Sequence, residues 1–202
     1  RLYYGEEVLK KYYDAYAATW KEQGDIKTEL YLKNCEIDGV PIRGQIDKVV
    51  INDKHVHVVD FKTGQFKYGK GKVKPPVTLE DNPDEENFEK RYGGDYWRQI
   101  LFYKALIESD NSQNLKVLSG EIDFIEPDGE NHQKVKIMVN EDEYTFVRNQ
   151  IKSVFAKIQN LEFEEGCEKK DCQWCTFNSY YNEHAHYAGD MLLHTETDEM
   201  EE

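Results

Sequence analysis

A chain of 202 residues, 39% of them hydrophobic and 13% aromatic, is long enough for one domain with a sizeable core and too apolar for a disordered chain. Its apolar runs are too short for a transmembrane span, and no signal peptide is visible. A formal net charge of −14 argues against a protein that binds nucleic acid on its own, because phosphate contacts need positive charge. The chain begins with Arg1, which suggests a piece of a longer protein whose other parts provide most of the binding to nucleic acid.

The first predicted element is a helix over residues 5–22. Its apolar side chains recur at the spacing of one helical face, and Gly24 ends it. The residues of that face are Leu9, Tyr13, Tyr16 and Trp20.

Three strands are predicted next, over residues 27–37, 40–51 and 55–61. The pair Asp38-Gly39 is a hairpin signal between the first two. The register of that hairpin stays open, because Leu30 and Leu32 alternate out of phase with Ile42 and Ile46 if the turn has two residues. The segment therefore predicts a meander with one unexplained irregularity.

The second hairpin brings two carboxylates together. With a two-residue turn at Asn52-Asp53, Ile51 pairs with Lys54 and Asp47 faces Val58. Side chains alternate between faces, so Asp60 and Lys62 share the face of Asp47, with Asp60 as its diagonal neighbour at roughly 7–8 Å. Two such carboxylates repel each other unless a cation lies between them, and oxygen ligands suit Mg²⁺ or Mn²⁺. The hairpin thus predicts a divalent metal site, with a Lys able to orient a water and steady charge on an attacked phosphate.

The second half of the chain predicts helix, two strands and helix. An insertion without clear periodicity covers residues 65–94; its Lys67, Lys70, Lys72 and Lys74 either lie along a DNA backbone or form an ordinary solvated loop. A helix over 96–109, strands over 115–125 and 133–139 around Pro127-Asp128-Gly129, and a helix over 141–160 complete the chain. The last helix has an apolar stripe of Val147, Ile151, Val154 and Ile158.

Three motifs in this order resemble a known family. Gly44-Gln-Ile-Asp47, Val59-Asp-Phe-Lys-Thr-Gly64 and Gln99-Ile-Leu-Phe-Tyr103 are similar to the motifs of PD-(D/E)xK nucleases in their RecB-like branch. The resemblance implies an α/β (α+β) restriction-endonuclease-like core of order α-βββ-α-β, with a central mixed sheet flanked by helices. It covers residues 1–189 as one nuclease domain, followed by an acidic tail, 190–202, that we expect to be disordered.

The resemblance also implies roles for individual residues. Asp47, Asp60 and the Phe61 carbonyl would hold Mg²⁺ or Mn²⁺, and Lys62 would position the attacking water. The same likeness places Gln99, Tyr103 and Thr63 on the substrate strand. Relatives add a His from an early helix as a further ligand, and none stands before His55 here. Either that helix lies outside the fragment, or Glu6, Glu7 or Glu29 substitutes for the His, with Glu29 as the best of these. His55 and His57 point away from Asp60 and are interpreted as structural.

A cysteine group, Cys167, Cys172 and Cys175, lies in a predicted C-terminal loop over residues 161–187. Thiolates at this spacing bind Zn²⁺ or an iron–sulfur cluster. Some RecB-like nucleases carry a 4Fe–4S cluster built from one early and three late Cys. Here Cys35, inside the first strand, is a poor early partner, whereas His184 or His186 could complete a zinc site. Zinc, a 4Fe–4S cluster and unligated thiols all remain open.

The function that the resemblance implies is a metal-dependent DNA exonuclease acting on single strands. It would belong to a UvrD/RecB-type helicase–nuclease of DNA repair and recombination, located in the cytoplasm, with DNA and the rest of the parent chain as partners and no membrane. One alternative is a non-catalytic DNA-binding module on the same fold. A weaker alternative is an endonuclease that processes tRNA or Holliday junctions.

Overall fold

The protein is described by a computed structural model over residues 2–20, 23–80, 82–109, 114–162 and 172–180. It divides into two compact units, Arg1–Phe155 and Ala156–Glu202. The elements, in chain order, are α1 (Leu2–Trp20), β1 (Asp25–Ile37), β2 (Val40–Asn52), β3 (His55–Gln65), α2 (Phe66–Gly69), α3 (Phe88–Tyr92), α4 (Asp95–Glu108), β4 (Lys116–Asp128), β5 (Asn131–Met138) and α5 (Glu141–Gln159).

The strands form one five-stranded sheet in the order β1-β2-β3-β4-β5. Only β3 and β4 pair in parallel, and the other neighbours are antiparallel. A parallel pair needs a crossover connection, which here contains α2, α3 and α4. The mixed sheet flanked by helices confirms the predicted fold class.

A bulge explains the irregularity in the first hairpin. Asp38 and Gly39 form the predicted two-residue turn with φ of 50° and 83°, and Ile37 pairs with Val40. The register then shifts between Leu32 and Cys35, where Asn34 adopts φ 61°. One extra residue on β1 thereby pairs Leu30 with Ile46 and Leu32 with Gly44, which brings the apolar side chains of both strands into phase.

The second hairpin turns one residue later than predicted. Asn52 pairs with His55 and Ile51 with Val56, so the turn is Asp53-Lys54 and the predicted pairing of Ile51 with Lys54 is wrong. Asp53 accepts the positive φ of the turn, 55°, while β-branched pairs form along both arms. The register moves by two residues, an even number, so every side chain keeps its predicted face.

Helix α4 packs against the sheet and is nearly surrounded by protein. Trp97, Ile100, Leu101 and Leu106 are at most 1% exposed. The sheet approaches Ile100 closely at Gly120, where a Cβ atom would lie 2.4 Å from the Ile100 side chain. This close fit fixes the height and rotation of the helix that carries Gln99 and Tyr103.

Of the outer helices, α1 buries a different face from the predicted one, whereas α5 buries the predicted stripe only at Val147 and, in part, at Ile151. In α1, Val8 and Tyr12 are buried, whereas Leu9 and Tyr13 are 57% and 60% exposed. In α5, Val147 is buried as predicted, but Val154 and Ile158 are exposed. Aromatic and apolar residues occur all around α1, so periodicity alone did not single out the buried stripe.

The insertion over 65–94 is partly helical rather than a plain loop. It contains α2 and α3, and its backbone is tied to the core. The Lys72 carbonyl accepts hydrogen bonds from Tyr96 N (2.9 Å) and Trp97 N (3.0 Å), at the start of α4. The basic half of the insertion is thereby fixed beside that helix terminus.

In the second unit, residues 173–180 form a helix within the segment predicted as a Cys-bearing loop. The predicted tail, 190–202, lies outside the described residues.

Candidate active site

The structure brings Asp47, Asp60 and Lys62, here called the Asp–Asp–Lys trio, to one place on the sheet. Asp47 Oδ2 accepts a hydrogen bond from the Phe61 backbone N–H at 2.8 Å, which ties β2 to β3 at this level. Lys62 Nζ lies 2.6 Å from Asp60 Oδ2. The register of β2 on β3, extended by one residue beyond Lys48 and Val59, sets Asp47 directly opposite Asp60.

Asp60 is the most buried member of the trio, at 2% exposed. Its Oδ1 accepts a hydrogen bond from the Tyr103 hydroxyl at 2.7 Å. Its Oδ2 accepts no hydrogen bond from the described residues and is matched only by the nearby Lys62 charge. A buried carboxylate oxygen in this state still has a lone pair for a cation.

Helix α4 supplies two side chains that hold the trio. Gln99 and Tyr103 are one turn apart, and Gln99 Nε2 donates to the Tyr103 hydroxyl at 2.8 Å. Gln99 Oε1 accepts from Lys62 Nζ, also at 2.8 Å. Asp60, Lys62, Gln99 and Tyr103 therefore close a ring of polar contacts. Burial, followed by the hydrogen bond to Asp60, raises the pKa of Tyr103, so its hydroxyl stays a donor.

The surroundings of Asp47 disfavour its negative charge. Burial raises the pKa of Asp47, the Phe61 N–H lowers it, and the neighbouring negative charges of Asp60 and Glu29 raise it again. Glu29 lies between the β1 residues that pair with Ile46 and Lys48, and thus beside Asp47, where it accepts a hydrogen bond from Gln45. A cation bound between the carboxylates would relieve this repulsion.

The donor set fits a hard divalent cation. Carboxylate oxygens are the ligands that Mg²⁺ and Mn²⁺ prefer, and Asp60 Oδ2, whose neighbour is the Lys62 ammonium, still has a lone pair for such an ion. Within the described ranges, however, no three His, Cys, Asp or Glu side chains form a ready-made metal cluster. Asp47 and Asp60 would hold the ion, and the remaining ligands would be backbone oxygen, water and substrate. Phe61 as a carbonyl ligand stays a prediction.

Tyr96 and Lys72 lie beside the trio, although the motifs did not reveal them. The Tyr96 ring lies 4.4 Å from Lys62 Nζ and 5.3 Å from Lys72 Nζ, so it holds two ammonium groups near the trio. The Lys-rich stretch was visible in the sequence, but the backbone bonds that bring Lys72 to α4 were not. Thr63, predicted on the substrate, is exposed, and no hydrogen bond links it to the trio in the described part of the chain.

The cysteine prediction falls mostly outside the described residues. Cys167, His184 and His186 are not among them, whereas Cys172 and Cys175 are half-buried. Cys35 lies in the core, with its Sγ 3.7 Å from the Leu106 carbonyl oxygen. In the described ranges, no helix has the length and apolar character that a membrane crossing requires.

Comparison with solved structures finds 14 matching chains. One is "Crystal structure of SSO0001", with 16% identity and a TM-score of 0.38 over 81% of this chain and 63% of that chain. The chain thus spans less than two thirds of that protein, and at this TM-score the likeness supports no conclusion about the site. No curated protein matches the chain.

The comparison with protein families establishes the family of this chain. The profile of the PD-(D/E)XK nuclease superfamily matches residues 2–180, which include every strand of the sheet and all members of the trio. The mixed sheet, the paired carboxylates and the adjacent Lys agree with this match, and the chain belongs to the PD-(D/E)XK nuclease superfamily.

Proposed function

We propose that this chain is a Mg²⁺- or Mn²⁺-dependent DNA exonuclease of the RecB-like branch that degrades single strands. The observation that carries the proposal is the convergence of Asp47, Asp60 and Lys62 beside Gln99 and Tyr103. The superfamily match supports nuclease chemistry in general. The finer substrate preference rests on the three sequence motifs.

Each side chain has a distinct task in the proposed reaction. Asp47 and Asp60 hold the divalent ion, which when bound polarises the phosphate and stabilises the leaving oxygen. Lys62 orients the attacking water and offers positive charge to the phosphate. Gln99 and Tyr103 keep Lys62 and Asp60 in place through the polar ring, so their first task is positioning. Contact of these two residues with the substrate strand is a further proposal.

Metal removal tests the proposal directly. Purified protein with Mn²⁺ should degrade linear single-stranded DNA, and EDTA should stop the reaction because the paired carboxylates cannot activate water without a cation. Circular single-stranded DNA of the same sequence should resist, since an exonuclease needs an end. Gel electrophoresis of both substrates measures the result. Cleavage in EDTA would contradict the metal assignment, and equal cleavage of circles would contradict the exonuclease.

A non-catalytic DNA-binding module is the second candidate. The observation that favours it is that, within the described ranges, no third His, Cys, Asp or Glu side chain completes the metal site. In that case the chain would bind single strands with equal affinity in Mn²⁺ and EDTA and would leave them intact.

The wider context is part of the same proposal. We place the domain in a UvrD/RecB-type helicase–nuclease of DNA repair, in the cytoplasm, because its motifs are similar to those of that branch. The late cysteines would ligate either a 4Fe–4S cluster or Zn²⁺. Visible absorbance together with metal analysis of protein purified without oxygen distinguishes the two.

Lys72 is expected to contact a substrate phosphate near the trio. Lys72→Met should raise the KM for single-stranded DNA several-fold with little change in kcat, because Lys72 adds binding charge and is not a member of the trio. It should also reduce the salt dependence of binding by about 0.7 in the log–log slope, the value for one phosphate contact on a single strand. The exposed Lys70→Met is the matched control and should change both quantities less. Equal effects of the two substitutions would show that only overall charge matters.

A further inference from the structure

A polar cavity, here called the α1-side cavity, lies where α1 packs against the sheet. It has a volume of about 390 Å³ and is lined by α1, by Gln23 and Gly24, by Lys134 of β5, and by the face of β2, β3 and β4 that carries His57 and Phe61. Asp60 and Lys62 alternate with these two residues along β3 and point to the other face. The cavity is therefore separate from the Asp–Asp–Lys trio.

Two hydrogen-bond acceptors in this cavity lack donors. Asp123, 1% exposed, uses Oδ2 to accept from the Tyr12 hydroxyl and from Lys134 Nζ. Its Oδ1 accepts no hydrogen bond from the described residues, and neither does the buried Oε1 of Gln23. A buried acceptor without a donor destabilises a fold, so a ligand with N–H groups would bind favourably by supplying the missing donors.

One donor in the same cavity also lacks a charged partner. Lys48 is 8% exposed, and within the described part of the chain no carboxylate lies within ion-pair distance of its Nζ. Lys48 Nζ faces the Trp20 ring, whose centroid is 6.0 Å away. Burial, followed by the charge of Lys134, lowers the pKa of Lys48.

Three aromatic side chains form part of the remaining wall. Trp20, Tyr12 and Phe61 present aromatic rings to the cavity, and the Tyr12 and Phe61 rings meet edge to face at 6.3 Å. The charged lining balances, because Lys48 and Lys134 offset Glu121 and Asp123. A free phosphate or a divalent cation would therefore gain little from this site, whereas a neutral, flat molecule with donors and an acceptor along one edge would match it.

We propose that the α1-side cavity binds a guanine base. Guanine carries two adjacent N–H donors, which match Asp123 Oδ1 and Gln23 Oε1, and a carbonyl oxygen, which matches Lys48 Nζ. Its ring system stacks against Trp20. Adenine has no carbonyl, and thymine has only one N–H donor on that edge. This assignment does not depend on whether the Asp–Asp–Lys trio cleaves DNA.

The test is calorimetric titration of the whole chain in EDTA with 2′-deoxyguanosine. Binding is expected, and it should weaken at least about tenfold with 2′-deoxyinosine, which lacks the amino group and leaves one buried acceptor unpaired. Trp20→Leu and Lys48→Met should each weaken it comparably, whereas Trp174→Leu, a substitution at an exposed Trp, should not. Asp60→Asn should bind as the unmodified protein does, which separates this cavity from the nuclease site.

The source of the base is distinguished with oligonucleotides. A thymidine oligomer with one internal guanine should compete with 2′-deoxyguanosine if the cavity takes a base from a strand, and should not compete if it takes only free nucleosides. Either result is compatible with a guanine site. The proposal is overturned if 2′-deoxyguanosine does not bind up to its solubility limit, if thymidine binds equally well, or if Trp20→Leu and Lys48→Met both leave its binding unchanged.

Discussion

Asp60→Asn is expected to reduce metal-dependent DNA cleavage by about a thousandfold or more while the fold is retained. Asn keeps the size of the side chain and can still accept the Tyr103 hydrogen bond, but it removes the negative charge that a divalent ion needs. It also leaves Lys62 without its ion-pair partner at 2.6 Å. Single-turnover cleavage of labelled single-stranded DNA in Mn²⁺ measures the loss.

The matched control for this experiment lies on the same hairpin. Asp53→Asn makes the same chemical change in the turn, where φ is 55° and Asn is well tolerated. Cleavage by that variant should be unchanged. Titration with Mn²⁺ should show weaker binding for Asp60→Asn alone. Cleavage within a few-fold of the unmodified protein, in a preparation of Asp60→Asn free of contaminating nuclease, would rule out this carboxylate as a metal ligand.

Glu108→Ala is expected to destabilise the fold by about 3–5 kcal/mol, because it removes the main partner of a buried charge. Lys104 is 2% exposed, and its Nζ lies 2.7 Å from Glu108 Oε1. The same oxygen accepts the Val117 backbone N–H at 2.8 Å, which ties the end of α4 to β4. Urea unfolding measures the change in the free energy of unfolding.

Glu141 provides a sharp control, because it contacts the same Lys104 at 3.1 Å but is 78% exposed. Glu141→Ala should therefore change the free energy of unfolding by no more than about 1 kcal/mol. The double variant Lys104→Met with Glu108→Leu should recover most of the loss, since apolar replacements of a buried pair are often neutral. If Glu108→Ala costs no more than Glu141→Ala, Lys104 is not held by a buried ion pair.

The sequence predicted which face of the sheet each side chain of the second hairpin occupies, but not which residues of the two strands pair. The hairpin register differs by two residues from the prediction, yet Asp47 and Asp60 still meet, because the strand period is two. The bulge at Asn34 could be detected only as a phase conflict among Leu30, Leu32 and Ile42, since its position depends on the pairing of two strands.

For the helices, the face of α4 could be predicted from sequence, but the buried faces of α1 and α5 could not be predicted fully. Gln99 and Tyr103 were placed on one face of a helix by their spacing, and the structure brings both to the trio. The buried faces of the outer helices were harder to predict, because tyrosines on both sides of α1 blur its amphipathic pattern. The position of Tyr96 and Lys72 beside the trio could not be predicted, because it depends on tertiary hydrogen bonds that no local sequence pattern indicates.

The parallel pairing of β3 with β4 has a consequence for synthesis on the ribosome. Asp60 and Lys62 lie on β3, but Gln99 and Tyr103 arrive with the crossover, and β4 closes that crossover only from Lys116 onward. Such sequence-distant contacts form late and slowly. A nascent chain that ends before β4 therefore lacks the neighbour that buries Asp60. The polar ring around Asp60 is therefore complete and buried only after this long crossover has closed.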